Sequence, residues 1–322
     1  MKRWRCALLA LGVLLAGCGG ADRALQVRQL AFLAYNDNPL TEQCLAGVRD
    51  GLAAAGWREG TEFTLTVDNA QGDMAALTAL AAARADGNDE LLFVSSTPAL
   101  QAVMRQPPRA PVVFTNTADP LLAGVGESFM RHKPNVTGIC SMVDMTATLN
   151  LVQELLPHTR AVATLVTPAE INTGVYRDRL REAARQRGWI LLDVPVSGPA
   201  ELATAAQAMC ARRPDAIIQI PDNLTSAGMA AIVQAAMQAQ VPLFTLTMTA
   251  DSSGIVAAQG VDFRQCGVEA AGMALRILRE GVPPAAIPIQ TVSQSTLRLN
   301  RALARCWGLP VGETAEYAVI AQ

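Results

Sequence analysis

The chain has 322 residues, of which 51% are hydrophobic and 17% charged, which suits packed α/β layers rather than a disordered chain. A formal net charge of -2, with no basic block, leaves nucleic-acid binding without an electrostatic footprint. Seven cysteines at scattered spacings are not a disulfide framework; Cys44, Cys140, Cys210, Cys266 and Cys306 read as small buried hydrophobes, with one pairing among them left open.

Residues 1–18 read as an export signal. Lys2, Arg3 and Arg5 form a positive n-region, residues 7–15 a short apolar h-region, and small residues precede a single cysteine. The run is too short to span a hydrocarbon core of about 30 Å. Leu15-Ala16-Gly17-Cys18 resembles a bacterial lipobox. That resemblance implies lipidation of Cys18 and an exported, membrane-anchored body facing the periplasm or the extracellular side. Residues 19–25 read as its tether. No later stretch reaches the ~18 uninterrupted apolar residues of a membrane helix.

From there strands, polar caps and helices alternate. Residues 27–34 predict a strand, and a helix follows over 40–55, with Asp37 or Asn38 as cap, Pro39 in its first turn and Gly56 at its exit. Residues 62–67 predict a strand, 74–85 a helix and 91–94 a buried strand. Ser95-Ser96-Thr97-Pro98 caps the next helix, and 111–114 is a strand ending in Thr115-Asn116-Thr117-Ala118-Asp119. A second series begins past Gly138. It has helices at 148–156, 175–187 and 200–212, a fourth ending near 239, and one at 268–279. Its strands lie at 161–166, 189–194, 216–220, 242–246 and 254–258. Strands alternating with helices of ten or more residues argue for βαβ units. The fold class is α/β, with two doubly wound parallel-sheet lobes.

Ligands of open α/β sheets bind beyond the carboxyl ends of the strands, where helix N-termini converge. The polar clusters at 35–39, 95–98, 115–119, 222–225 and 247–252 all follow strands. Each alone reads as helix capping; five on two lobes read as a shared cleft.

At these clusters the chain resembles the tryptophan/aromatic-amino-acid type of ABC-transporter substrate-binding protein. The resemblance rests on Asn69-Ala70-Gln71-Gly72-Asp73, Ser96-Thr97-Pro98, Thr117-Ala118-Asp119-Pro120 and Asn135-Val136-Thr137-Gly138. It continues through Glu154-Leu155-Leu156-Pro157, Pro221-Asp222-Asn223, Pro242-Leu243-Phe244 and Gly260-Val261-Asp262, and covers roughly residues 27–310. It implies a type I periplasmic-binding-protein fold with three crossings. One lobe would comprise 26–138 plus 247–288, the other 139–246 plus 289–322. It further implies hinge closure on a small solute and delivery to an ABC permease by a monomeric protein. Carried over by position, the ligand-binding candidates are Tyr35, Asp37, Asn38, Ser96, Thr97, Thr117, Asp119, Asp222, Asn223, Thr247 and Phe263. Asp222 is the choice for a ligand ammonium, since a buried charge needs a partner. Tyr176 is a further candidate for an aromatic wall. The chain departs from the family's pattern in two places: Asp37-Asn38-Pro39 replaces the usual Glu-His-Pro, and Thr245, Thr247 and Thr249 stand where acids are common. The expected ligand is therefore an amino acid or a small polar organic solute.

Catalysis is not expected. His132 and His158 are isolated, and there is no zinc cluster, no Ser-His-Asp set, no Gly-x-Ser-x-Gly elbow and no Walker A loop. Neither cofactor nor metal is implied. The alternative on the same fold is a ligand-sensing lipoprotein that presents its closed form to a membrane receptor, and a third reading is a structural lipoprotein with a degenerate cleft.

Overall fold

The first strand, β1 (Arg28–Ala34), buries Leu30 to Ala34 without a break, as a parallel strand covered by helices on both faces must. The structure is a computed structural model that describes residues 27–248, 253–292, 294–311 and 317–321. The expected export signal, Cys18, the tether and Thr249 lie outside the described residues. Asn38 caps α1 (Pro39–Ala54): its Oδ1 accepts from the amides of Leu40 and Thr41 at 2.9 and 2.8 Å, and Pro39 occupies the first turn, where no amide partner is needed. The series continues with β2 (Phe63–Asn69), α2 (Met74–Ala85), β3 (Leu91–Ser95), α3 (Thr97–Arg105), β4 (Val112–Thr117) and β5 (Val136–Cys140).

The second series runs α4 (Thr146–Leu155), β6 (Ala161–Val166), α5 (Ile171–Gln186), β7 (Ile190–Pro195), α6 (Leu202–Ala211) and β8 (Ala216–Gln219). It goes on through α7 (Asn223–Ala227), α8 (Met229–Ala239), β9 (Leu243–Thr245) and β10 (Ala257–Gly260). Then come α9 (Phe263–Leu278), β11 (Gln290–Thr291), β12 (Gln294–Leu299), α10 (Arg301–Cys306) and β13 (Tyr317–Ala321). The first sheet has the order β2-β1-β3-β4-β5-β11 and is parallel throughout. The second has the order β7-β6-β8-β9-β10-β12-β13. It is parallel as far as β10, and β12 and β13 add an antiparallel edge that the sequence pattern did not announce.

Three crossings join the lobes, at 141–145, at 261–262 and between Thr291 and Gln294. They correct the boundaries expected from sequence. Gly138 is not at a crossing but inside β5, with φ +157°, and a Cβ there would stand 2.3 Å from the Phe114 carbonyl oxygen; the neighbouring strand, not a hinge, requires this glycine. Residues 253–260 stay with the second lobe, because β10 pairs with β9 and β12. The tail visits the first sheet through β11 before returning. Helix α9 does return to the first lobe, packed on α1. A Cβ on Gly47 would lie 1.9 Å from the Arg264 carbonyl oxygen, and one on Gly267 would lie 2.2 Å from that of Cys44, so only glycines allow the two backbones so close.

Cys44, Cys140, Cys210 and Cys266 are buried free thiols and Cys306 is exposed and free. Among the described residues no helix is long and apolar enough to cross a membrane.

Candidate functional site between the lobes

An open α/β sheet leaves a crevice where its strand order reverses, beyond the carboxyl ends. The reversal lies between β1 and β3 in the first sheet and between β6 and β8 in the second, and the two crevices meet. Asn36 and Asn38 follow β1; Asn223 follows β8. Asn36 Nδ2 donates to the Asn223 carbonyl oxygen at 3.2 Å, and Asn38 Nδ2 donates to Asn223 Oδ1 at 3.3 Å and to Asn36 Oδ1 at 3.0 Å. Three asparagines thus bridge the lobes.

Two cavities adjoin this bridge. The inner one, about 20 Å³, is lined by Leu40, Thr97, Asn116, Ala118, Ser141, Asn172, Tyr176, Pro221, Asp222, Asn223 and Phe263; it has room for about one water molecule. The outer one is a groove of about 380 Å³ that includes Tyr35, Asp37, Asp73, Thr167 and Glu170, within the ~300–1,000 Å³ range of small-molecule sites. The backbone at the inner cavity is unusual. Ser96, the cap of α3, has φ +95°, and Asn116 has φ +50°. Each such position costs on the order of 1–3 kcal/mol, and they gather at ligand sites.

The second lobe brings two buried carboxylates to the cleft. Asp222 Oδ2 accepts from the Thr167 amide at 3.1 Å and from Thr173 Oγ1 at 2.6 Å, while its Oδ1 caps α7 by accepting from the Thr225 amide at 2.8 Å. Glu170, 1% exposed, accepts from the Asn223 amide at 3.0 Å, Asn223 Nδ2 at 2.6 Å and the Leu224 amide at 3.1 Å. Burial, reinforced by the charge of Asp222, outweighs these donors and pushes the Glu170 carboxyl up to about 8. Across the cleft, burial and then the charges of Glu170, Asp222 and Asp73 push the Tyr35 hydroxyl up to about 12. Among the described residues neither Glu170 nor Asp222 forms an ion pair with a lysine or arginine. Asn172, on the inner cavity, leaves its buried Oδ1 without a partner.

The residues singled out from sequence divide accordingly. Thr97, Asp222, Asn223 and Phe263 line the inner cavity, as does Tyr176. Asn38 bridges the lobes. Tyr35 lies on the outer groove with its hydroxyl donating to the Gly72 carbonyl at 2.8 Å, and exposed Asp37 accepts there from Asn69 and Gln71. The rest face elsewhere. Ser96 Oγ accepts from the Ala99 amide at 3.3 Å; Thr117 Oγ1 donates to the Thr115 carbonyl at 3.1 Å. Asp119 lines a separate cavity of about 850 Å³ beside the first crossing. Thr247 Oγ1 shares a 2.8 Å hydrogen bond with Thr245 Oγ1 and lines neither cavity of the cleft. Glu170 and Asn172 were missed. Their one signal is position: they stand in the turn and first helical residues after β6, on the side of the strand-order reversal, which local sequence cannot locate.

Residues 30–315 match the family described as ABC transporter substrate binding protein. A tyrosine-binding protein of Clostridioides difficile (strain R20291) is 24% identical over 264 residues, 82% of this chain and 76% of that one. A conserved domain protein from Vibrio cholerae O1 superposes with a TM-score of 0.84 at 27% identity, covering 89% of this chain and 97% of that one. An ABC domain in complex with L-Trp from Streptococcus pneumoniae gives 0.83 at 21% identity, covering 89% and 96%. The architecture is that of type I periplasmic binding proteins, which are not enzymes but solute receptors working outside the cytoplasm. The chain belongs to the ABC transporter substrate-binding protein family.

Proposed function

We propose that this protein captures an amino acid between its lobes and delivers it to an ABC importer, while held to the membrane through a lipid on Cys18. The observation that carries the ligand class is the pair of buried carboxylates, Glu170 and Asp222, without a cationic partner among the described residues. Burying such charges unpaired is costly, and the ammonium of an amino acid offsets that cost with a charge-assisted hydrogen bond. The ligand occupies the outer groove and widens the inner cavity, where Asn172 Oδ1 offers a second acceptor. Tyr35, Tyr176 and Phe263 supply aromatic surface. The tyrosine-binding relative and the L-Trp complex support an aromatic side chain.

Thermal unfolding against a panel of amino acids, sugars and small organic acids tests this. Ligand at about 100 times its Kd adds roughly 2.7 kcal/mol, a shift of a few degrees. L-tyrosine or L-tryptophan raises Tm in the proposed reading; a shift from sugars alone overturns it. Cys18→Ser releases the protein from the membrane fraction if Cys18 carries the anchor, and retention there removes that assignment.

A further inference from the structure

Gln259 is fully buried on β10, two residues before the second crossing. Its amide is saturated. Oε1 accepts from the Thr148 amide at 3.1 Å and from Thr148 Oγ1 at 2.6 Å; Nε2 donates to the Asp144 carbonyl at 2.6 Å and to Ser295 Oγ at 3.1 Å. A primary amide has two lone pairs and two N–H groups, and all four are engaged. The orientation is fixed, because the Asp144 carbonyl can only accept and the Thr148 amide can only donate.

The partners are what make this residue unusual. Asp144 belongs to the first crossing and Thr148 to the helical turn that follows it. Gln259 itself precedes the second crossing. Ser295, also buried, is the second residue of β12, directly after the third. One side chain therefore joins the second-lobe ends of all three connections. The same first crossing is also held from the cleft: the Val143 amide donates to the Tyr176 hydroxyl at 3.0 Å, and Tyr176 lines the inner cavity.

We propose that Gln259 is the common anchor of the hinge. It holds the three crossings in one register, so that bending is confined to the short segments beyond it and the lobes move about a single axis. Tyr176 connects the cleft wall to that anchor through Val143. Hinges absorb their φ/ψ change in a few residues, and an anchor shared by every connection removes the alternative of each bending independently.

The test is the distribution of distances between the lobes, measured by spin labels without added ligand. Labels at Ala53→Cys on α1 and Ala208→Cys on α6, both exposed positions, in a Cys306→Ser background, report the separation. Gln259→Met keeps most of the volume and none of the four hydrogen bonds. It is expected to broaden the distribution relative to the parent, because the buried hydrogen bonds that hold the crossings together are released. Ser295→Ala, which frees the third crossing alone, broadens it less and covers the case in which Gln259→Met does not fold. Ile232→Val, in the second-lobe core, is the control for general destabilisation. Distributions that coincide with the parent for both hinge variants overturn the proposal. So does equal broadening in Ile232→Val.

Discussion

Glu170→Gln isolates the buried acid of the cleft. An unfolded glutamate ionises near 4.5, while burial and Asp222 hold the folded carboxyl at about 8. Between those values the folded state carries the extra proton, so stability falls as pH rises and the fall levels off above about 8. At 1.36 kcal/mol per tenfold change in proton affinity, the loss from pH 5 to pH 8 is roughly 3 kcal/mol. Glutamine cannot ionise and keeps one acceptor oxygen for the Asn223 amide, while its NH2 replaces the oxygen that accepts from the Leu224 amide. Urea unfolding at pH 5, 6.5 and 8 measures the effect. The parent protein is expected to lose stability across the series, and Glu170→Gln is expected to remove most of that slope. An identical slope in both would refute the reasoning, because the titrating group would then lie elsewhere.

Two further outcomes follow from the same carboxylates. Asp222→Asn deprives the Thr167 and Thr225 amides and the Thr173 hydroxyl of their charged acceptor; a stability loss of roughly 2–4 kcal/mol is expected in equilibrium unfolding, and a loss under about 1 kcal/mol would mean those donors find other partners. Under the proposed function, an ammonium ligand selects ionised Glu170, so affinity for L-tryptophan measured by calorimetry should rise roughly tenfold or more between pH 6 and pH 8. Constant affinity over that range would detach Glu170 from the ligand's charge.

Much of the fold was legible because its signals are local. Two-faced apolar runs such as Leu30 to Ala34, and caps such as Asn38 and Asp222, mark strand and helix ends within a few residues. What stayed hidden is long-range pairing. Nothing in Ala257–Gly260 tells whether that strand joins the first sheet or the second, so the second crossing was placed too early. Gly138 reads as the end of the first lobe until Phe114 is seen against it within the sheet. The site failed in the same way. Thr247 and Asp119 follow strands just as Asp222 does, yet Asp119 lines a separate cavity and Thr247 lines neither cavity of the cleft, because which turn faces the other lobe is set by strand order and lobe packing, and that order is a property of pairing. Glu170 is the sharpest case: an acid in a surface-like turn, it is buried against Asn223 and Leu224 after β8, beside a groove it shares with Tyr35 and Asn36 of the first lobe.

That burial connects the site to the motion. Glu170 and Asp222 sit on the second lobe, and Tyr35, Asn36 and Asn38 close over them from the first. Under the proposed function, closure without a cation makes Glu170 take up a proton and leaves Asp222 with only neutral donors, whereas closure around an ammonium gives the ionised pair an opposite charge. The ligand therefore binds the closed form better than the open one by about the desolvation it offsets, and this difference alone lets it shift the equilibrium. Neutral asparagines at the lobe contact fit that logic. They join the lobes through hydrogen bonds to Asn223 and bring no cation to the two acids.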